Sequence, residues 1–517
     1  MSAVDDIDGQ GTDIEIIEQM RADADAAALA IKRDGCDLAI RANVHDGDRR
    51  NSTHNAIMKH SALIHQTIDD LRSEIVALFR ELWAHPELPG LEFRSMGHLT
   101  GFLEKHGFGV QRRAGDIPTA FTATMRTGRG PRLAFLAEYD ALPGLGNSAG
   151  TTRDPHPGPV GHGCGHNHIG PANCGAAVAA ALAARKLGLA GEISVIGCPA
   201  EEILWGKIAL LRQGIFDGYD VVLTSHGDYQ TGALSRPCMS VANGEFIFLG
   251  KSGHGGLAGR HNALEGAEAI VAEVSRRART EWSDCSIKHV LRIAGIMPSI
   301  TPDEVRIWFT VRHADIARVR DVYAAIERLS ADKAKDMELR FRHQHISESR
   351  GYLPNDTLGH LLQDAMECVG PPHWNVDDLA FMTDLAKSCG GGSPLSLDHS
   401  TRLYKEGQDY YGQDDGEVSW RIPLGRVNWS YPNDIPIHHW GWTALSGHSA
   451  GDAGPLMAAE ALANAAVEIL AHPEHAKDAR AELETRVKGI PLDMARIGAW
   501  KTLRENPQSF WNATWVE

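Results

Sequence analysis

The sequence predicts an α/β fold: a doubly wound, mostly parallel sheet interrupted by a smaller inserted α+β unit. Three observations carry this expectation. First, short apolar runs ("PRLAFLAEYDALP", "GEISVIGCPAEE", "YDVVLTSHG") alternate with a helix-length alanine-rich stretch, "GPANCGAAVAAALAARKLG". Strands that are apolar on both faces, in strand–helix–strand order, belong to a buried parallel sheet covered by helices on both sides. Second, from Cys238 the texture changes to alternating strands, "EFIFLGKSGHGG" and "DEVRIWFTVRH", with helical periods in "ALEGAEAIVAEVSRRART" and "RVRDVYAAIERLS". Third, after about Arg342 the first texture resumes and closes on "AGPLMAAEALANAAVEILA". The expected divisions are an N-terminal extension at 1–60, a first part of the main domain at 61–237, an insert at 238–342, and a second part with a C-terminal extension at 343–517.

The elements follow in order. The extension is polar, helix-compatible at 14–20 and 24–31, then charged and turn-rich in "NVHDGDRRNSTH". From Ser61, "SALIHQTIDDLRSEIVALFRELWAHPE" repeats apolar residues every three or four positions and stops at Pro86, which marks a long amphipathic helix. Each polar motif beyond it stands where a strand ends, and open parallel sheets bind ligands at those carboxyl ends. A sheet domain split by an insert also implies a cleft between the two.

Composition narrows the partners. At 517 residues the chain exceeds one ordinary core. A net charge of −16 without a basic stripe argues against nucleic acid and for a small molecule. No apolar run reaches the roughly 18 to 20 residues of a membrane span, and "MSAVDDIDGQGTDIEIIEQ" is acidic where an export signal is basic and then apolar. The expectation is a cytoplasmic protein without a membrane partner. Eight cysteines lie scattered without a CxxC pair, which is not a disulfide framework. Histidine is abundant at 26 residues, several bunched beside glycine or acidic residues, and that favours metal chemistry.

The densest such patch is "GHGCGHNHIG" at 161–170. Cys164 and His166 are two apart, so from an extended loop both reach one centre, and thiolate with imidazole suits zinc, manganese, iron or cobalt. The competing reading is a buried cysteine in a glycine turn beside an exposed histidine. Glu201 and Glu202 end the strand "ISVIGCPA". Adjacent side chains on an extended backbone point opposite ways, which would leave one as a ligand and the other for a different task. His226 ends "VVLTSH", with Asp228 close by. Four donors at three consecutive strand ends point jointly to a metal. A further histidine must close the site from the C-terminal half: His438 or His439 in "IPIHHWGW", or His448 in "SGHSAG". In the insert, "GKSGHGG" sets His254 in a glycine-flanked turn able to reach a cleft. No GxSxG elbow set between a strand and a helix, no Walker loop and no paired GxGxxG after a strand is found. A nucleophilic Cys164, activated by a neighbouring histidine, conflicts with a thiolate committed to metal.

"HPE" (85–87), "AEYDALPG" (137–144), "GHGCGHN" (161–167), "PAEE" (199–202), "SGHGG" (252–256) and the segment around "IHHW" together resemble the dinuclear metallopeptidase family of aminoacylase and carboxypeptidase G. Within it the chain is similar to the amidohydrolase branch of hippurate, indole-acetyl-amino-acid and aminobenzoyl-glutamate hydrolases. It is nearest the last type, which also carries "GHGCGHN". The resemblance implies a catalytic domain with an inserted lid and dimerisation domain. It implies Cys164 shared by two metals, His166 and His226 on one ion, Glu202 and His438 on the other, Glu201 as general base, and His254 reaching the partner subunit's active site in a homodimer. At most two divalent ions are expected per subunit, manganese or zinc ahead of cobalt or nickel. The implied reaction is cleavage of the amide of an N-acyl or aromatic-acyl amino acid. The alternatives are a hydrolytic deaminase at the same site and a non-catalytic small-molecule scaffold. Ser299 and Thr301 depart from the family, whose insert carries an Asn before its "IP" pair. His168 stands where the nearest type is apolar, and the polar, aromatic segment at 390–415 suggests a specialised pocket.

Overall fold

The computed structural model describes residues 43–155, 158–257, 261–391 and 395–512; the stretches at 14–20 and 24–31 lie outside them. The first helix, α1 (Asn43–Ala84), begins well before Ser61 and absorbs the segment expected to be turn-rich. The reason is packing. Ile57, Ile64, Ile68, Leu71, Ile75, Phe79 and Leu82 form one buried stripe, and buried His60 lies 3.3 Å from the carbonyl of Asn464. Docking of that stripe outweighs the local turn preference of Asn, Asp and Gly.

The main domain continues with α2 (Phe93–Lys105), β1 (Gly109–Arg112), β2 (Phe121–Arg126), β3 (Arg132–Glu138), α3 (His166–Leu187), β4 (Glu192–Cys198), α4 (Gly206–Arg212), β5 (Val221–Asp228) and β6 (Gly232–Leu234). The insert supplies β7 (Ser240–Leu249), α5 (Ala263–Ala278), β8 (Ser286–Ile293), β9 (Glu304–His313), α6 (Ile316–Asp336) and β10 (Arg340–Ser349). The chain then returns with α7 (Asp356–Val369), β11 (Arg402–Tyr404), β12 (Leu424–Ser430), α8 (Trp440–Gly447) and α9 (Ala453–Ala471).

The large sheet has the order β1-β2-β4-β3-β5-β12-β6-β11. Its centre, β4-β3-β5-β12, is parallel, while β1, β2 and β6 pair antiparallel with neighbours toward the edges. This is the mostly parallel sheet expected. On one face α1, α3, α7 and α9 pack into one core, and the alanines of α3 and α9 let these helices approach closely. The segment Ser449–Ala471 is long and apolar enough to cross a membrane by length and composition, but 89% of it is buried inside the protein, as befits a core helix. The other face packs Trp205, Phe216 and Tyr352 against Leu503 and Phe510 near the end of the chain.

The insert sheet, β8-β9-β7-β10, is antiparallel throughout and covered by α5 and α6. Its last strand runs to Ser349, past the division at 342 that the change of texture suggested. All seven cysteines among the described residues are free.

Candidate dinuclear metal centre

The expected donors converge at the carboxyl ends of the central parallel strands. Cys164, His166 and His226 form one group, and Cys164, Glu202 and His438 a second; within each, the donor atoms lie within 4.8 Å of one another. Glu138, His166 and Glu201 form a third. Of the C-terminal histidines it is His438 that joins. His439 caps α8, accepting from the Gly441 N–H at 3.2 Å, and His448 accepts from Ala450 while stacking on Phe381 at 3.6 Å.

Local geometry differs from expectation at two points. Cys164 and His166 do not share an extended loop: Gly165 adopts a left-handed φ of 82° and His166 is the first residue of α3. Only glycine takes that conformation without strain, so the turn aims both side chains at one centre. Glu201 and Glu202 do not point opposite ways. Ala200 is left-handed (φ 57°) and Glu201–Ile203 is a tight 3₁₀ turn, so both carboxylates face the His166 Nε2, at 3.7 and 3.9 Å. The buried Glu92 carboxylate holds this turn, accepting the Ala200 N–H at 2.9 Å and the Gly90 N–H at 2.7 Å.

Both buried histidines are oriented through the nitrogen facing away from the cluster. His166 Nδ1 lies 2.9 Å from Asp140, and His226 Nδ1 lies 2.6 Å from the Gly227 carbonyl, with its Nε2 3.6 Å from the Cys164 sulfur. Such partners fix ring and tautomer and leave Nε2 as the donor atom. His438 is half-exposed and left-handed (φ 56°), its N–H bonded to the Gly163 carbonyl at 2.9 Å.

The donor atoms at the centre of the cluster are left unpartnered. Glu138 Oε2, His166 Nε2, Glu201 Oε1 and Glu202 Oε1 are buried and have no hydrogen-bond partner among the described residues. Burial and then the Glu138 carboxylate hold Glu201 well above the usual carboxylate range. Burial pushes Glu202 up to about 8, with Asp140 and Glu138 adding to it against the pull of His166. Burial and then Glu202 likewise push the Cys164 thiol up, opposite to what a free nucleophilic cysteine needs. Burial lowers His226 to about 3, so it stays neutral and able to ligate. The mixed sulfur, nitrogen and oxygen donors, with orphaned atoms aimed inward, fit two divalent metal ions.

Sequence reasoning assigned no task to several residues here. Asp140 links the two ligand segments, contacting His166 and accepting the Glu202 N–H at 2.9 Å. Lys207 is fully buried in the first turn of α4, its ammonium 2.7 Å from Glu138 and 2.6 Å from Asp414. Burial opposes charge on Glu138, yet Lys207 and His166 hold its carboxyl down at about 2. A lone lysine in the apolar run "LWGKIALL" was the available signal; Asp414 gave none. On β9 of the insert, the Arg312 Nε is buried without a hydrogen-bond partner among the described residues, and the arginine's charge lowers His438, after burial and His166.

Two expected candidates stand elsewhere. His168 is fully buried, its Nδ1 2.7 Å from the Tyr431 hydroxyl and its Nε2 3.5 Å from Asp452, with its ring against Phe79. It ties α1 to the end of β12 and the start of α9. His254 is exposed in a short ribbon with Ile300–Thr301, accepting from the Gly256 N–H at 3.2 Å, and it is not part of the converging groups.

A doubly wound sheet with an inserted α+β unit and two donor groups that have Cys164 in common is the architecture the motif resemblance implied. No family model matches the chain. It is 28% identical over 449 residues to one of the subunits of the p-aminobenzoyl-glutamate hydrolase of Escherichia coli, covering 78% of this chain and 92% of that one. It is 29% identical over 283 residues to an N-acyl-L-amino acid amidohydrolase of Geobacillus stearothermophilus, covering 52% and 74%. A solved Bacillus subtilis structure described as a dinuclear metal-binding peptidase superposes with a TM-score of 0.50 at 19% identity, over 78% of this chain and 99% of that one. Its relatives are the amidohydrolases that its motifs resemble, and the chain is a metal-dependent hydrolase of amide carbon–nitrogen bonds. The deaminase and non-catalytic scaffold alternatives gain no support.

Proposed function

We propose that the substrate is an N-acyl or aromatic-acyl amino acid and that Cys164 is shared by two ions, manganese or zinc, with His166 and His226 on one and Glu202 and His438 on the other. Cobalt and nickel suit the same donors. The observation that carries this reading is the pair of three-residue donor groups with Cys164 in common. The ions would supply Lewis-acid polarisation of the scissile carbonyl and a water acidic enough to attack near neutral pH.

Glu201 takes the proton of the attacking water and returns it to the leaving amine, a task suited to a carboxyl held above its usual range. Arg312 binds the carboxylate of the amino-acid half, which supplies the partner its buried Nε lacks. His254 donates to the oxyanion in the cleft of a partner subunit. The enzyme works as a homodimer through the insert, in the cytoplasm, where its thiols stay reduced.

The test is hydrolysis of p-aminobenzoyl-glutamate and a panel of N-acetyl and N-benzoyl amino acids, followed by mass spectrometry. Chelation should abolish product and added manganese or zinc should restore it. Turnover that survives chelation would sink the proposal. Arg312→Met should raise KM for carboxylate-bearing substrates far more than for their carboxamides; equal effects on both would remove Arg312 from recognition.

A further inference from the structure

The end of the chain, outside the family motifs, touches both the insert and the main domain. On the insert side residues 496–498 extend β10: the Glu348 N–H donates to Arg496 at 3.0 Å, the Gly498 N–H donates to Ile346 at 2.8 Å, and Ser347 bridges Ile497. Asp493 pairs with Arg320 of α6 at 3.0 Å. Further on, Arg292 at the end of β8 donates to the carbonyls of Phe510 (2.6 Å) and Trp511 (3.2 Å), and Phe510 meets Trp308 of β9 edge-on at 5.7 Å.

On the main-domain side, the Trp511 indole donates to Pro89 at 2.9 Å and Arg504 pairs with Asp116 at 2.8 Å. The Trp205 indole donates to Gly498 at 2.9 Å while its ring packs on Trp500 at 5.5 Å. Trp205 also closes the turn that carries the two glutamates, its N–H bonded to the Ala200 carbonyl at 3.1 Å. The same turn is held from the insert, where the Ser347 hydroxyl donates to Ile203 at 2.8 Å.

We propose that residues 491–512 are a strap that fixes the insert against the metal-centre domain and, through Trp205, sets the Glu201–Glu202 turn. Trp205 is thereby a positioning residue for the base, and movement of the insert is coupled to the base through the C-terminal segment. The catalytic half of this inference rests on Glu201 being the base; the coupling itself does not.

Hydrogen exchange read by mass spectrometry on the full-length, metal-loaded protein tests the coupling. Arg292→Met removes the two bonds that hold the end of the strap to the insert, at a point remote from the donor cluster, together with the Arg292–Glu245 ion pair. Amides at 499–511 and at 201–205 should then exchange at least about fivefold faster while α3 is unchanged. Acceleration confined to the neighbourhood of residue 292, or none, overturns the strap. Should Arg292→Met fail to fold, Trp511→Phe, which removes the indole bond to Pro89 and keeps an aromatic ring beside Phe510 and Arg292, takes its place with the same expectation.

Trp205→Phe then tests positioning with p-aminobenzoyl-glutamate as probe. It should lower kcat about tenfold with KM within about twofold and metal content unchanged. An unchanged kcat overturns the positioning role. A wild-type protein that turns over no amide would reject the functional reading alone and leave the exchange result standing.

Discussion

Glu138, Asp140, Glu201, Glu202 and the Cys164 thiol crowd around buried imidazoles, so without metal the site holds protons, and the metal-free protein should show this in its pH dependence. Glu202, held at about 8 against an ordinary 4.5, and His166, held above its ordinary 6.5, both keep protons in the folded metal-free chain that the unfolded chain has released. Where the folded state binds more protons, stability falls as pH rises. His226, lowered to about 3, acts in the opposite sense, but its contribution is complete by its ordinary 6.5. The melting temperature of the metal-free protein should therefore fall between pH 6.5 and 8, and the metal-loaded protein should not follow it. Titration calorimetry in buffers of different ionisation enthalpy should show protons released on metal binding; no release would contradict the protonated donors. Glu201→Gln should keep its metal by elemental analysis and lose about 10² to 10⁴ in kcat. Cys164, His166, Glu201, Glu202 and His226 were legible as candidates because they are donor-type residues in motifs that follow apolar strands, whereas His438 stood among three histidines and was singled out only by the motif resemblance. The shared direction of Glu201 and Glu202 was not, because an alanine at position 200 carries no signal for a left-handed backbone and the Glu92 carboxylate that holds it lies 108 positions away. Asp140 stayed hidden for the same reason: its task depends on what folds across from it.

At the scale of elements, helix α4 is short but carries the only buried ammonium described in the site. Lys207 donates its backbone N–H to Asp414 at 2.8 Å and its ammonium to Asp414 and Glu138. Lys207→Met would fill the same volume yet leave two buried carboxylates without their cation, which typically costs about 3 to 5 kcal/mol. Urea denaturation of the metal-loaded variant measures this, and a cost below about 1 kcal/mol would mean that the pair is solvated or already balanced. Gly206, just before it, admits no side chain, since a Cβ there would meet the Pro199 carbonyl at 1.7 Å. The parallel centre of the sheet, the alanine-rich helices and the antiparallel insert were readable from period and texture alone. The start of α1 was not, because its "NVHDGDRRNST" favours turns locally and only the docked stripe from Ile57 onward makes it helical.

At the scale of the whole molecule, the insert presents an exposed apolar edge that the proposed homodimer would bury. Strand β8 is an edge strand with exposed Val290 and Leu291, and Ile296, Met297 and Ile300 are exposed on the loop and ribbon beyond it. An exposed apolar edge with unpaired backbone groups is a ready template for pairing with another chain. His254 sits on the same unit, exposed and outside its own donor cluster. If it serves the partner's cleft, two inactive variants should complement. A His254→Ala protomer keeps Glu201 and a Glu201→Gln protomer keeps His254, so in a mixed dimer one of the two clefts receives both intact groups. Random pairing makes half of all dimers mixed, and with one working cleft in each the mixture should regain about a quarter of wild-type activity. The pair must be denatured and refolded together, and dimer formation followed by sedimentation. Charge on the edge, as in Val290→Glu, should dissociate the dimer and abolish the recovery. A dimer that forms but recovers nothing would return His254 to its own protomer, while recovery without a dimer would show that the rescued cleft is built some other way.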